Sequence, residues 1–211
     1  MLAAISHDLR TPITRLRLRV EAAVENAQEQ QKMLHDLDQM DAMVSSSLSF
    51  LRDGARDEPM VMVDLASVLQ SACDEFVDMG CDVEYIGLSH LPIRCRPELV
   101  TRAVTNLVEN ATKYGTTATV HLTRDSSGKA IVHIDDDGAG IPDAEKQKAF
   151  DPFYRLDTAR GADSGGFGLG LSIARMIVDL HGGQIELTDR VPRGARVVMT
   201  LPIDGNRREK S

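Results

Sequence analysis

Gly165-Gly166-Phe167-Gly168-Leu169-Gly170-Leu171 runs without a break into the periodic stretch Ser172–Leu180, and the fold class turns on how that glycine run is read. Glycines at the start of a helix expose backbone N–H groups and the positive end of the helix dipole, an arrangement suited to phosphate. A dinucleotide-binding fold needs a strand immediately before such glycines, within a strand-helix-strand unit of about 30 residues. That context is missing, because a polar, glycine-containing loop, Leu156–Ser164, precedes the run. The glycines therefore open a helix that follows a loop, and the chain is expected to be α+β rather than a doubly wound parallel sheet.

Working outward, Gln184–Thr188 and Arg196–Leu201 read as a strand pair near the end of the chain. Upstream, Phe150-Asp151-Pro152-Phe153-Tyr154-Arg155 leads into Leu156–Ser164, which reads as a mobile lid. Closure of that lid brings Arg155 toward a terminal phosphate; a solvated arginine is the plain alternative. Farther upstream, Ile134-Asp135-Asp136-Asp137-Gly138-Ala139-Gly140-Ile141-Pro142 leaves the end of a strand. This D-x-G-x-G turn lets the Asp136 carboxylate face a cleft, where it can accept from an exocyclic amine such as that of adenine, while the glycines admit a flat ligand. Three consecutive aspartates also suggest a calcium site, but the other oxygen ligands of a twelve-residue loop are lacking.

Pro97 sits at a first-turn position and opens a helix to Tyr114. On it, Asn106 and Asn110 share a face one turn apart, and Lys113 follows on the adjoining turn. Amide oxygens suit a hard cation such as Mg²⁺, and lysine suits phosphate oxygens. Two solvated asparagines are the plain alternative. Around this helix, Asp64 is expected to cap a helix through Phe76, and Val83–Ile86 and Leu91–Arg94 to form short strands. Thr119–Leu122 and Ala130–Ile134 flank a hairpin turn, Asp125–Gly128.

The first quarter of the chain is different. Leu2, Ile5, Leu9, Ile13, Leu16, Val20 and Val24 recur at steps of three and four, as do Leu34, Leu37, Met40, Val44, Leu48 and Leu51. The polar stretch Glu25–Gln31 separates these two amphipathic helices. A lone helical hairpin buries too little to be stable, so a homodimeric four-helix bundle is expected. Within the first helix lies Ser6-His7-Asp8-Leu9-Arg10-Thr11-Pro12. Neutral imidazole is a competent nucleophile, and the neighbouring Asp8 carboxylate can raise its basicity. Pro12 inside the helix costs ~3 kcal/mol, so a kink five residues after His7 asks for a reason, with a kink needed only for packing as the plain alternative. The expected organisation is a hairpin over 1–54, a linker over 55–62 that starts beyond a Gly54 cap, an α/β domain over 63–205 and a frayed tail over 206–211.

Composition narrows the partners. The 211 residues are 42% hydrophobic and 27% charged, as in ordinary globular proteins, and carry a net charge of −8, which disfavours nucleic acid. No apolar run approaches the roughly 18 to 20 residues that cross a bilayer, and no secretory signal is visible, so this segment is not expected to contact membrane. Cys73, Cys81 and Cys95 show no metal-ligand spacing and read as free thiols in a reducing compartment.

Taken in order, the His7 hairpin and the Asn106, Asp136 and Gly166–Leu171 elements resemble the transmitter core of bacterial sensor histidine kinases, with a hairpin similar to the EnvZ-like group. These kinases join a dimerising histidine hairpin to a two-layer α/β sandwich of the Bergerat type, from the gyrase, Hsp90, histidine kinase and MutL superfamily. The resemblance implies ATP and Mg²⁺ as cofactors and His7 as phosphoacceptor, with Asp8 its orienting or general-base partner and Thr11 positioning water for dephosphorylation of a response regulator. It places Mg²⁺ on Asn110, with Asn106 and Lys113 supporting the phosphates and Tyr114 packing near the base. Asp136 becomes the adenine contact, lined by Gly138, Gly140 and Ile141. Arg155, Gly166, Gly168, Leu169, Gly170 and Leu171 become lid and phosphate contacts. The superfamily's ATP hydrolases carry a glutamate where this chain has Asn106, which fits phosphotransfer better than hydrolysis. The chain begins six residues before His7, whereas the family extends this helix toward a membrane sensor, which implies a cytoplasmic segment of an inner-membrane-anchored parent. A Ser/Thr kinase or ATP-driven clamp of the same superfamily, and a non-catalytic scaffold that docks receiver domains, are the rival readings.

Overall fold

The computed structural model describes residues 2–24, 26–53, 58–156 and 168–204. Contacts divide the chain into two units, one holding the first two helices and the other the described residues from Glu58 onward. Among the described residues no helix is long and apolar enough to cross a membrane.

In the first unit, helix α1 (Leu2–Ala23) continues through Pro12, and helix α2 covers Ala27–Asp53. The polar residues Gln28–Gln31 are thus the first turn of α2 and not a spacer. Asn26 explains the early restart: its Oδ1 accepts from the backbone N–H groups of Gln28 and Glu29, each at 3.1 Å. These are donors that an uncapped helix leaves orphaned. At the other helix end, the Gln30 Nε2 donates to the Glu21 carbonyl at 3.1 Å and to those of Val20 and Val24 at 3.4 Å. Val20 and Leu37 are buried, whereas the seam residues Leu16 and Met40 are 47% and 55% exposed in the single chain.

The second unit follows the order β1 (Val61–Asp64), α3 (Leu65–Asp78), β2 (Asp82–Gly87), β3 (Pro92–Cys95), α4 (Pro97–Tyr114), β4 (Thr117–Arg124) and β5 (Ala130–Asp136). Then come α5 (Asp143–Lys146), a 3-10 turn (Lys148–Phe150), α6 (Gly170–Leu180), β6 (Gln184–Asp189) and β7 (Ala195–Leu201). Five strands form one sheet, ordered β2-β4-β5-β7-β6, in which only β2 and β4 run parallel. Register aligns Val120 with Ile134 and Val197, and Leu122 with Val132 and Met199, so these buried side chains line one face. Helices α3, α4 and α6 pack on the sheet, completing a two-layer α+β sandwich. Each fully buried leucine, such as Leu69 or Leu107, contributes about 1.5–3 kcal/mol by leaving water.

β1 pairs with β3 in a separate antiparallel ribbon, Val61 opposite Cys95. Residues 61 and 62, which composition alone assigns to the linker, therefore belong to this strand; its partner lies some thirty residues ahead, and local pattern does not announce it. The short α5 and the 3-10 turn were also not expected. Gly54 and the tail 206–211 lie outside the described residues. Asp64 does cap α3, accepting from Ala66 N at 3.2 Å, and it also accepts from Leu91 N at 2.8 Å. The Leu91 bond is the main reason its carboxyl is held down to about 2.

Helices α4 and α6 are joined end to end by a buried histidine. His181, at the C-cap of α6, engages the Ile177 carbonyl through Nδ1 at 2.7 Å and accepts the Arg96 N–H on Nε2 at 3.0 Å. Arg96 is the N-cap of α4 and supplies no side-chain cap itself. Burial, with the nearby Arg96 charge, lowers the His181 pKa below 6.5, while Ile177 and Glu58 oppose the shift. A histidine depressed on folding binds its proton more readily when unfolded, so its contribution is complete above the unfolded pKa and fades as pH falls below it. The urea midpoint is expected to drop between about pH 7.5 and about pH 5.5, and the drop to shrink in His181→Gln. His133, also depressed by burial and by Arg196, contributes to what remains in the variant. An unchanged pH slope in His181→Gln would remove the assignment.

Candidate functional site

Helix α4 supplies one wall of the site. Its inner stripe, Leu99, Val100, Ala103, Val104, Leu107, Val108 and Ala111, is buried, which leaves Asn106, Asn110 and Lys113 half-buried along its flank and Glu109 exposed. The start of α4 is capped from a distance: the Glu58 carboxylate accepts from Glu98 N at 2.8 Å and from Leu99 N at 3.2 Å. Asn106 Nδ2 is buried without a hydrogen-bond partner among the described residues. A buried amide donor left unpaired costs roughly 1–3 kcal/mol, a penalty that an incoming acceptor removes.

The second wall is the start of α6. A Cβ placed on Gly170 would sit 3.7 Å from the Asn106 carbonyl oxygen and 3.9 Å from its Oδ1, so the two helices meet closely here. Leu169, the α6 N-cap, is buried and makes no side-chain cap, and Gly170 and Leu171 follow it half-buried. The first-turn N–H groups of a helix have no intrahelical acceptor. They thus lie beside the orphaned Asn106 amide.

The third wall is the turn after β5, where three adjacent carboxylates do three different things. Asp135 receives a bidentate pair from Arg196, Nε and Nη2 each at 2.6 Å. Asp136 is buried, and its Oδ1 accepts from Gly138 N at 2.8 Å and Ala195 N at 3.2 Å. Burial pushes its pKa up, against the pull of those two bonds. Asp137 Oδ1 accepts from Thr116 N at 2.6 Å and Thr117 N at 3.0 Å, and its Oδ2 accepts the Thr116 hydroxyl at 2.6 Å. Those bonds, the hydroxyl first, hold it well below the usual carboxylate range. The three do not converge, and no trio of His, Cys, Asp or Glu side chains among the described residues is arranged to hold a metal. Gly138 is required by close approach, since a Cβ there would lie 2.4 Å from the Tyr114 carbonyl oxygen. That contact brings the end of α4, with half-exposed Tyr114, against the turn bearing Asp136, Gly140 and Ile141.

Lys113 Nζ stands 5.3 Å from the Tyr114 ring centroid. Its pKa is lowered by burial first and then by the positive charge of Arg155, so the structure brings these two cations into one neighbourhood. The segment before the expected lid is tied to the segment after it: Phe153 N donates to the Gly168 carbonyl at 2.9 Å. The Tyr154 hydroxyl donates to Glu145 on α5. Gly166 and lid residues 157–164 lie outside the described residues. In the other unit, His7, Asp8 and Thr11 fall within α1, and Thr11 is exposed; the side chains of His7 and Asp8 lie outside the description.

Sequence reasoning missed Glu58, Thr116, Asp137 and Ala195. The third aspartate and the threonine after Gly115 were a readable signal. The Ala195 N–H was not, because only strand register brings it to Asp136.

Residues 95–205 match the family described as histidine kinase-, DNA gyrase B-, and HSP90-like ATPase, and residues 1–56 match the His Kinase A (phospho-acceptor) domain. Over 202 residues the chain is 41% identical to the sensor histidine kinase GtrS of Pseudomonas aeruginosa, a comparison that takes in 96% of this chain and 41% of that protein. The chain thus spans less than half the length of that relative. The mycobacterial sensor histidine kinase MprB superposes with a TM-score of 0.60 at 26% identity, covering 69% of this chain and 99% of that one. The NMR structure of the histidine kinase domain of the Escherichia coli osmosensor EnvZ superposes with a TM-score of 0.55 at 31% identity, covering 74% and 96%. With a phospho-acceptor helix pair preceding this three-walled sandwich, the chain belongs to the histidine kinase-, DNA gyrase B- and HSP90-like ATPase family and is the transmitter core of a histidine kinase.

Proposed function

We propose that this chain transfers the γ-phosphoryl group of ATP to a ring nitrogen of His7 and then to an aspartate of a response regulator receiver domain. The observation that carries the reading is the meeting of the unpaired Asn106 amide with the uncapped start of α6, inside an ATPase fold whose chain also bears a phospho-acceptor helix. Phosphate oxygens are the acceptors both features lack. Asp136 accepts the exocyclic amine of adenine, and Gly138, Gly140, Ile141 and Tyr114 line the base. Lys113 and Arg155 repel each other, so a triphosphate relieves that repulsion as it binds.

The donor set fits Mg²⁺ held loosely. A hard cation of this size keeps most of its oxygen shell from water and phosphate and takes few protein ligands, so the Asn110 amide oxygen is a sufficient protein anchor. When bound, Mg²⁺ supplies charge neutralisation at the phosphate oxygens. The chain's residues orient the rest: Asn106, Lys113, Gly168, Leu169, Gly170 and Leu171, with Gly166, hold the phosphate end. His7 attacks in line, its nitrogen forming a bond to the γ-phosphorus as the bond to the β–γ bridging oxygen breaks and leaves ADP. Asp8 accepts the imidazole proton. Catalysis is positioning and charge stabilisation, as is general for phosphoryl transfer. Thr11, one turn past His7 on α1, is assigned to positioning the water that dephosphorylates the regulator. The exposure of seam residues Leu16 and Met40 supports a homodimer in which a second hairpin covers them. The same proposal puts the segment in the cytoplasm, beneath an inner-membrane-anchored parent.

Incubation with γ-labelled ATP is expected to give acid-labile label that His7→Ala abolishes; label persisting in that variant would overturn the site, and steady turnover without label would favour an ATP-driven clamp. Asn110→Ala and Asp136→Asn are each expected to weaken ATP binding by about tenfold, the equivalent of about 1.4 kcal/mol, with the thermal midpoint retained. Unchanged affinity by calorimetric titration counts against the pocket, and no binding by the native chain favours a scaffold. Sedimentation is expected to show a dimer that Leu16→Glu combined with Met40→Glu dissociates.

A further inference from the structure

The turn between β6 and β7, Arg190–Gly194, has no part in the reading above, yet it is fastened to the loop that follows Asp136. Arg193 Nε donates to the Gly138 carbonyl at 3.0 Å. The Ala195 N–H, at the exit of the turn, reaches Asp136 Oδ1 at 3.2 Å. Gly194 has φ +116°, and a Cβ there would fall 1.8 Å from the Asp136 carbonyl oxygen, so only glycine lets the two backbones come this close. On the entry side, Arg190 Nε lies 3.9 Å from Asp135 Oδ2, and Lys146 of α5 pairs with Asp189 at 2.8 Å. The turn is therefore braced on both sides and presents one long side chain, that of Arg193, to the carbonyl of Gly138.

Gly138 is one of the two donors that orient Asp136. Both donors use Oδ1, at 2.8 Å from Gly138 N and 3.2 Å from Ala195 N, and no donor among the described residues occupies Oδ2. Oδ2 is thus the atom with capacity for a ligand N–H. Its placement depends on where the Gly138 peptide sits, and Arg193 grips that residue by its carbonyl while its N–H grips Asp136. A charged guanidinium donor to a carbonyl is stronger than a neutral one, and its fork holds direction as well as distance. Arg193 is itself exposed, so removing it opens no core.

We propose that Arg193 is a positioning residue for nucleobase selection: by holding the Gly138 carbonyl it keeps Asp136 Oδ2 where it accepts the 6-amino group of adenine. The proposal rests on the assignment of Asp136 to adenine made above. It separates Arg193 from groups that hold phosphate, because its effect reaches only the part of the ligand that carries the amine.

The test compares ATP with inosine triphosphate, which has a carbonyl in place of the 6-amino group and is otherwise the same triphosphate. Calorimetric titration of the full chain is expected to show the native protein preferring ATP. In Arg193→Ala, ATP affinity should fall about fivefold, the order of one hydrogen bond's net contribution, while inosine triphosphate binds as before, so the preference narrows. Arg193→Lys, which keeps a cationic donor, should restore part of it. An equal loss for both nucleotides in Arg193→Ala, the result of a merely structural role, overturns the proposal, as does no loss for either. If the native chain binds the two nucleotides alike, the adenine assignment of Asp136 has failed, and this is read from the native protein before any variant is made.

Discussion

Burial of one stripe of α4, from Leu99 to Ala111, against the inner face of the sheet is the constraint from which the second unit follows. A helix buried along one stripe must turn its flanks toward a rim, and on this helix the flank bears Asn106, Asn110 and Lys113. The same packing sets its far end beside the turn after β5, close enough that Gly138 tolerates no side chain against Tyr114. The start of α4 does not provide for itself: Glu58 and His181 satisfy its first N–H groups. Site geometry is in this sense a by-product of core packing, corrected at the helix end by two side chains from elsewhere.

Charge is handled locally. A net charge of −8 argues against polyanions in general, yet the rim of α4 holds two mutually repelling cations beside the Asn106 amide, which has no partner among the described residues. The triple aspartate would repel a nucleotide if all three charges faced it. Two are consumed by Arg196 and by the Thr116–Thr117 turn, and among the described residues Asp136 is the one of the three left with an uncommitted oxygen. Overall charge therefore disfavours nucleic acid without speaking to a nucleotide.

Much of this was legible in the sequence, and the exceptions share a cause. Pro97 and Tyr114 bound α4 as expected, Asp64 caps α3, and the Asp125–Gly128 turn joins β4 to β5, because each is decided by residues a few positions apart. The grouping of Asn106, Lys113, Arg155, Asp136 and Gly170 into one unit also emerged from motifs in order. What was illegible depends on partners distant in sequence. β1 exists because β3 pairs with it, Glu58 caps a helix forty residues on, and the Ala195 N–H meets Asp136 through register. The early start of α2 was readable, since Asn26 followed by Glu29 has the spacing of a capping pair, but a run of polar residues masked it.

The His181 bridge bears on cooperativity. Helix ends are where native structure opens first, and each ordinarily frays alone at small cost. Here the last turn of α6 holds the imidazole that satisfies the first turn of α4, and the two helices form adjoining walls of the site. Loosening either end strips a buried hydrogen bond from the other, so the pair opens as a single foldon. The α4 wall and the α6 wall of the site are therefore tied to one opening free energy through these ends.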